Sequence, residues 1–300
     1  MHLTLRQLQC FSAVARNLSY TKAAEELHLT QPAVSMQIRQ LEQQAGLALT
    51  EQFGKQVHLT EAGEEVYRYA RSILHQVDEM DDVLDRLKGS SGGRLKIAAI
   101  SSANYFAPRL LGTFHERFPE VSVSMDVTNQ KAVLQLVIDN EVDMAIMGQP
   151  PKDSHVEAIP FMENPLVIVA PPGHRLASRK RIQLKELEKE VFLIREPGSG
   201  TRGAMERFFR QQKLKLTTGM GMGSLSSVKQ GVQANLGLAL LPRNAVRDEL
   251  NYGHLVELKI RGLPIKRHWY VVLHKGKRLS VAAGEFRSLL IDEAVDLLGA

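Results

Sequence analysis

Between residues 30 and 40 the sequence sets a row of polar side chains at helical spacing. Gln31, Ser35, Met36, Arg39 and Gln40 fall on one face, and Val34, Ile38, Leu41 and Ala45 fall on the other. Gln31 carries both a donor and an acceptor and can pair bidentately with an adenine edge; Arg39 can reach guanine or a phosphate. Ser35 is short enough to let the helix sit deep in a groove. That is chemistry for reading base pairs. A second set lies in the last two thirds of the chain. Ser101, Ser102 and Asn104 follow a strand and open a helix, Glu196-Pro197-Gly198-Ser199-Gly200-Thr201-Arg202 is a glycine-rich turn, and Ser224 precedes another helix. Asn129 and Gly148 stand at the carboxyl ends of further strands, where open α/β sheets bind ligands. Each serine taken alone is more simply a helix cap. Taken together with Arg202, the hydroxyls and free N–H groups favour a cradle for a carboxylate or phosphate.

Catalysis finds no such set. Pro197-Gly198-Ser199-Gly200 lacks the first glycine of a nucleophile elbow, and Gly219-Met220-Gly221-Met222-Gly223 lacks the third glycine of a dinucleotide turn. The ten histidines show no metal-ligand spacing. One cysteine, Cys10, excludes an intramolecular disulfide and fits a reducing compartment. It lies in the first helix and reads as a small packed hydrophobe. No enzyme and no metal are expected.

These residues need elements to hold them. Leu5, Leu8, Phe11 and Ala15 mark a first helix, and Ser19 can cap a second over residues 20–27, with small inward Ala23 and Ala24. After the turn His28-Leu29-Thr30, Thr30 can cap the third helix and Pro32 fits its first turn. Two helices joined by a short turn, the second with a polar outer face, make a helix-turn-helix that enters the major groove. Thr21 and Lys22 would flank the DNA. The head carries five basic residues (Arg6, Arg16, Lys22, Arg39, Lys55) against four glutamates (Glu25, Glu26, Glu42, Glu51), so neutralising phosphate needs two or more heads on one DNA.

Val66, Ala70, Ile73, Val77, Met80, Leu84 and Leu87 alternate at steps of four and three, flanked by Glu79, Asp82, Asp85 and Arg86. That is a coiled-coil seam over residues 61–88; a helix packed on its own domain is the alternative, but the small head before it and the linker after it favour a dimer-forming helix on a two-fold DNA site. A flexible glycine-serine linker follows at 89–93. Strands and helices then alternate at 94–100, 105–118, 121–127, 131–140 and 142–147, which predicts a mostly parallel sheet, and the rhythm restarts at 165–170. The expected fold is α/β with an all-α head, the wing aside. The apolar stretches at 166–172 and 236–242 are too short to cross a bilayer, and residues 1–7 show no signal pattern, so a cytoplasmic protein without membrane contact is expected. The acid-free run of Lys259, Arg261, Lys266, Arg267, Lys275, Lys277 and Arg278 reads as a solvated face without function.

Residues 11–42 and Leu59-Thr60-Glu61-Ala62-Gly63 resemble the signature of the LysR-type transcriptional regulators along the whole head. Thr50 stands where that family usually has a phenylalanine, and Gln52 where it often has arginine. The resemblance implies a winged helix-turn-helix at 1–60, with Ala48 to Leu59 as the wing and Lys55 near the minor groove. It further implies a dimerising linker helix and a two-lobed effector domain, similar to periplasmic binding proteins, at 94–300. The first lobe would take 94–164 and 275–300, and the second 165–274. Tyr105-Phe106-Ala107-Pro108-Arg109, Ala145-Ile146-Met147-Gly148, residues 195–202 and residues 262–272 resemble the subgroup controlling Calvin-cycle RuBisCO operons. That likeness implies promoter DNA and RNA polymerase as partners. It also implies a homodimer or homotetramer, and a phosphorylated or carboxylated metabolite or a pyridine nucleotide as co-inducer, with no tightly held cofactor. A regulator of a different operon, a solute-binding protein and an enzyme are the alternatives. The attached DNA-binding head and the missing signal pattern argue against a solute-binding protein, and the missing catalytic set argues against an enzyme.

Overall fold

The computed structural model describes residues 3–54, 56–87, 93–151 and 155–299. Lys55 and most of the expected linker lie outside the described residues, as do the side chains of Glu79, Asp82, Asp85, Arg86 and Leu87. The chain divides into two units, residues 1–90 with Asp139–Glu141, and the remainder.

In the first unit, α1 (Leu5–Asn17) opens on a reciprocal cap between Thr4 and Gln7. Ser19 Oγ accepts from Lys22 N at the start of α2 (Tyr20–Glu26), and Thr30 Oγ1 accepts from Ala33 N at the start of α3 (Gln31–Ala45), which has Pro32 in its first turn. Leu8, Phe11, Val14, Ala23, Ala24, Val34, Ile38 and Leu41 close one core, the two alanines providing close approach of α2. The hairpin β1 (Thr50–Phe53) and β2 (Gln56–Leu59) forms the wing. It leads into the 27-residue α4 (Glu61–Leu87). At Gly63 a Cβ would lie 2.0 Å from the Leu49 carbonyl oxygen, so only glycine lets α4 meet the base of the wing.

The heptad seam divides its work. Of its residues, Val66 and Ala70 pack into the head core beside Leu74, whereas Ile73, Met80 and Leu84 remain exposed, as does neighbouring Val83. An apolar stripe of that kind on a long helix needs a partner surface to leave water.

The second unit opens with β3 (Gly93–Ile100) and a 3-10 helix, Ser101–Tyr105, before α5 (Ala107–Arg117). The helix expected from residue 105 thus starts two residues later, because Pro108 has the fixed φ and missing N–H of a first turn. β4 (Val121–Thr128), α6 (Gln130–Ile138), β5 (Met144–Met147) and β6 (Val156–Glu163) follow. The second lobe contains β7 (Leu166–Ala170), β8 (Val191–Arg195), α7 (Gly200–Gln211), β9 (Thr217–Met222), α8 (Leu225–Gln233), β10 (Ala239–Pro242), α9 (Arg247–Asn251) and β11 (Val256–Glu257). The chain ends with β12 (His268–His274), α10 (Val281–Ser288) and α11 (Ala294–Leu298).

The first lobe's sheet runs β4-β3-β5-β12-β6, with β3 parallel to β4 and β5, and β12 antiparallel to β5 and β6. This corrects the lobe boundary read from sequence. β12 belongs to the first lobe, so the chain returns before residue 268 rather than at 275. The reason is burial: Trp269, Val271, Val272 and Leu273 fill the slot between β5 and β6 and close that core around Phe106, Phe114 and Phe286. In the second lobe β7 pairs with β10 and β11, and β8 with β9. Along β7, Leu166 and Ile168 face one buried cluster while Val167 and Val169 face another, so the sheet lies between two helical layers.

Candidate nucleic-acid interface and effector cleft

On α3, Val34, Ile38 and Leu41 are buried, which turns Gln31, Pro32, Met36, Arg39 and Gln40 to solvent and leaves Ser35 half-buried. Thr21, Lys22 and Thr30 are exposed beside them. Arg39 and Lys22 form no ion pair among the described residues, whereas Arg16 is paired with Glu26. A free arginine over a row of amide and hydroxyl groups can meet phosphate and base edges together.

The base of the wing is tied to this helix. One oxygen of Glu42, Oε1, accepts from Leu49 N at 2.8 Å, Thr50 N at 3.0 Å and Thr50 Oγ1 at 3.2 Å. The Tyr20 hydroxyl lies 3.0 Å from the same threonine oxygen. Thr50 is thus hydrogen-bonded to both α2 and α3, and Leu49 beside it is fully buried. Lys55, expected near the minor groove, lies outside the described residues.

The cleft of the second unit is built from both lobes. Ile100, Ser101, Ser102, Asn129, Gln130, Gly148 and Asn164 meet Arg195, Glu196, Ser199, Gly200, Thr201 and Arg267 around a cavity of about 20 Å³, room for roughly one water. Arg195, at the end of β8, is 5% exposed and is held by Glu196 through two bonds of 2.7 and 2.8 Å. It also crosses to the first lobe, donating to Ser101 Oγ at 3.1 Å. Arg267 makes no ion pair among the described residues and donates to the Gly200 carbonyl at 3.4 Å. Burial, followed by the charge of Arg207, holds its pKa below the ordinary guanidinium value. An arginine stays charged in that situation, so its environment favours an added anion. No side chain caps α7, whose first residues Gly200 and Thr201 line the cavity, and the N–H groups of a first turn suit the same charge. Asn164 Oδ1 is buried there without a partner among the described residues.

An adjoining open cavity of about 740 Å³ is lined by Lys131, Leu134, Pro150, Pro151, Arg202 and Arg207, among others. Gln130 borders both spaces, donating to the Gln149 carbonyl at 3.0 Å. Of the effector residues expected from sequence, Ser101, Ser102, Asn129, Gly148, Glu196, Ser199 and Thr201 line the inner cavity. Gly198 and Arg202 line the outer one. Arg202 is directed elsewhere than expected, to Glu206 at 2.9 Å and the Arg195 carbonyl at 3.2 Å. Asn104 is exposed, and Ser224 caps α8 through Ser227 N at 3.0 Å; neither lines the cavity. The sequence reading missed Arg195, Arg267, Asn164 and Gln130 as cleft residues. Arg267 sits in a basic run with nothing local to set it apart; only the return of the chain into the first lobe turns it inward.

Residues 5–64 match the model of the bacterial regulatory helix-turn-helix proteins of the lysR family, and residues 88–295 match the LysR substrate binding domain. The chain is 51% identical over 294 residues to the RuBisCO operon transcriptional regulator of Allochromatium vinosum, covering 98% of this chain and 97% of that one. Among solved structures, the CcmR regulatory domain of Synechocystis PCC6803 in complex with 2-PG is 36% identical, with a TM-score of 0.64 over 67% of this chain and 96% of that one. A full-length OxyR variant from Pseudomonas aeruginosa is 22% identical, with a TM-score of 0.75 over 98% of this chain and 95% of that one, and shares the fold.

Proposed function

Because this chain belongs to the LysR family of bacterial helix-turn-helix regulators, we propose that it controls promoters of carbon-fixation genes in response to a small phosphorylated or carboxylated metabolite. It is a DNA-binding transcription regulator. Gln31, Ser35, Met36, Arg39 and Gln40 read the major groove, with Thr21, Lys22, Thr30 and Pro32 positioning the helix and the wing's Lys55 lying near the minor groove. Two copies join through the exposed stripe of α4, act in the cytoplasm, and recruit or release RNA polymerase.

The observation that carries the ligand reading is the cation in the cleft. Arg267 is half-buried, lines one cavity with Ser101, Ser102 and the N-terminus of α7, and has no carboxylate partner among the described residues. The 2-PG complex of a 36% identical regulatory domain supports a phosphorylated ligand here. The inner cavity is too small for such a ligand as it stands. Binding therefore requires the lobes or Gln130 to move, and that movement is what couples ligand to DNA. Coupling of this kind is typically worth about 1–3 kcal/mol.

The test is footprinting of the full chain on the DNA upstream of RuBisCO genes, with and without 2-phosphoglycolate. We expect protection that survives bulk competitor at moderate salt and changes with the metabolite. Arg267→Ala should protect the same DNA and ignore the metabolite. A chain with no preference for that DNA over competitor sinks the reading.

A further inference from the structure

The two lobes of the second unit also meet away from the cleft, one short helix along the chain. The 3-10 helix Ser101–Tyr105 begins at the residues that line the inner cavity. It ends at Tyr105, whose ring packs against the second-lobe cluster containing Val228, Val232 and Leu241. The Tyr105 hydroxyl lies 3.3 Å from Ser226 Oγ, and the Lys229 ammonium stands 4.5 Å from the ring centroid. Lys229 is itself buried and paired with Glu249, Nζ to Oε1 at 2.6 Å. The other oxygen of that carboxylate is buried without a partner among the described residues.

As a source of stability this cluster is poor. A buried lysine and carboxylate, incompletely hydrogen-bonded, contribute little beyond what apolar residues of the same volume would. What it supplies is direction. A desolvated ammonium favours the face of the ring over its edge, so Tyr105 has one preferred seat on α8, and that seat fixes where the first lobe stands.

We infer that Tyr105 is the strut through which the anion site sets the arrangement of the two lobes. An anion drawn to Ser101, Ser102 and Arg267 acts on one end of a five-residue helix, and the ring at its other end must follow or hold. Tyr105 touches no ligand; it is a positioning residue, and Lys229 is its counterpart across the lobe boundary. The inference rests on the cleft being the effector site.

The experiment uses the full-length chain, a promoter fragment and 2-phosphoglycolate. It reads the affinity for each ligand alone and the ratio of DNA affinities with and without the metabolite. Tyr105→Ala should leave each separate affinity within about threefold of the parent while the ratio falls to near one. Tyr105→Phe keeps the ring face over Lys229 and should keep most of the ratio. The paired change Lys229→Met with Glu249→Gln, which leaves no lone buried charge, should behave like Tyr105→Ala. An unchanged ratio in Tyr105→Ala overturns the inference, and so does a drop in thermal midpoint and both affinities together. Bend angles on circularly permuted fragments, read without any metabolite, separate the two ideas. A parent that ignores 2-phosphoglycolate sinks the effector reading alone, but a Tyr105→Ala chain that then bends DNA as the parent does sinks the strut.

Discussion

Gly148, just past the end of β5, lies so close to Arg267 that a β-carbon there would stand 3.0 Å from Nη2 of the guanidinium. A side chain at 148 would therefore press on the guanidinium. Gly148→Val should push the guanidinium from its bond with Gly200 and weaken 2-phosphoglycolate by about tenfold, roughly 1.4 kcal/mol. DNA affinity without metabolite should be unchanged. Calorimetry on the full chain decides, and equal metabolite affinity in both chains would detach Arg267 from the ligand.

Arg202 offers the contrasting case. Its guanidinium is committed to Glu206 and to the Arg195 carbonyl, and it lines the outer cavity only. Arg202→Ala should change metabolite affinity by no more than about threefold, or ~0.7 kcal/mol, whereas Arg267→Ala should lose most of it. The ranking of the two variants in one titration series tests the geometry directly.

On the DNA side, Gln31→Ala and Arg39→Ala should each weaken specific binding by about 1–3 kcal/mol per lost base contact. If Arg39 meets phosphate rather than guanine, its removal weakens all sequences alike and lowers the salt slope by about one. Gel-shift titrations at several salt concentrations separate these outcomes, and unchanged affinity in both variants removes α3 from the interface.

Glu42 gathers three donors from the first residues of the wing onto one carboxylate oxygen. Glu42→Ala leaves two backbone N–H groups without that acceptor and should cost the head about 1–3 kcal/mol. The loss should appear as a lower denaturant midpoint and as weaker DNA binding. Thr50→Val, which removes the hydroxyl alone, should show a smaller version of both.

The head was legible in the sequence because its signals are local. Ser19 and Thr30 cap within their own helices, Val34, Ile38 and Leu41 repeat at helical spacing, and the polar face opposite them follows from the same period. Fold class and the outward residues of α3 are set by that patterning. The heptad seam was equally visible, but not its division between the head core at Ala70 and an open surface at Met80, since one apolar period fits both.

The cleft was half legible. The hydroxyl and glycine segments announced themselves as turns at strand ends, while the charge that gives the cavity its chemistry did not. Arg202 looked like the cation because it adjoins the glycine turn, yet its i,i+4 neighbour Glu206 captures it. Arg267 became the cleft cation because β12 must enter the first lobe to bury Trp269 and Val271, which carries the preceding residue to the lobe boundary. Sequence patterning determined the elements, the outward polar face of α3 and the hydroxyl and glycine segments at the strand ends. Which arginine enters the cleft without an ion pair among the described residues was decided by a pairing between strands far apart in the chain, β5 with β12, and no local period encodes such a contact.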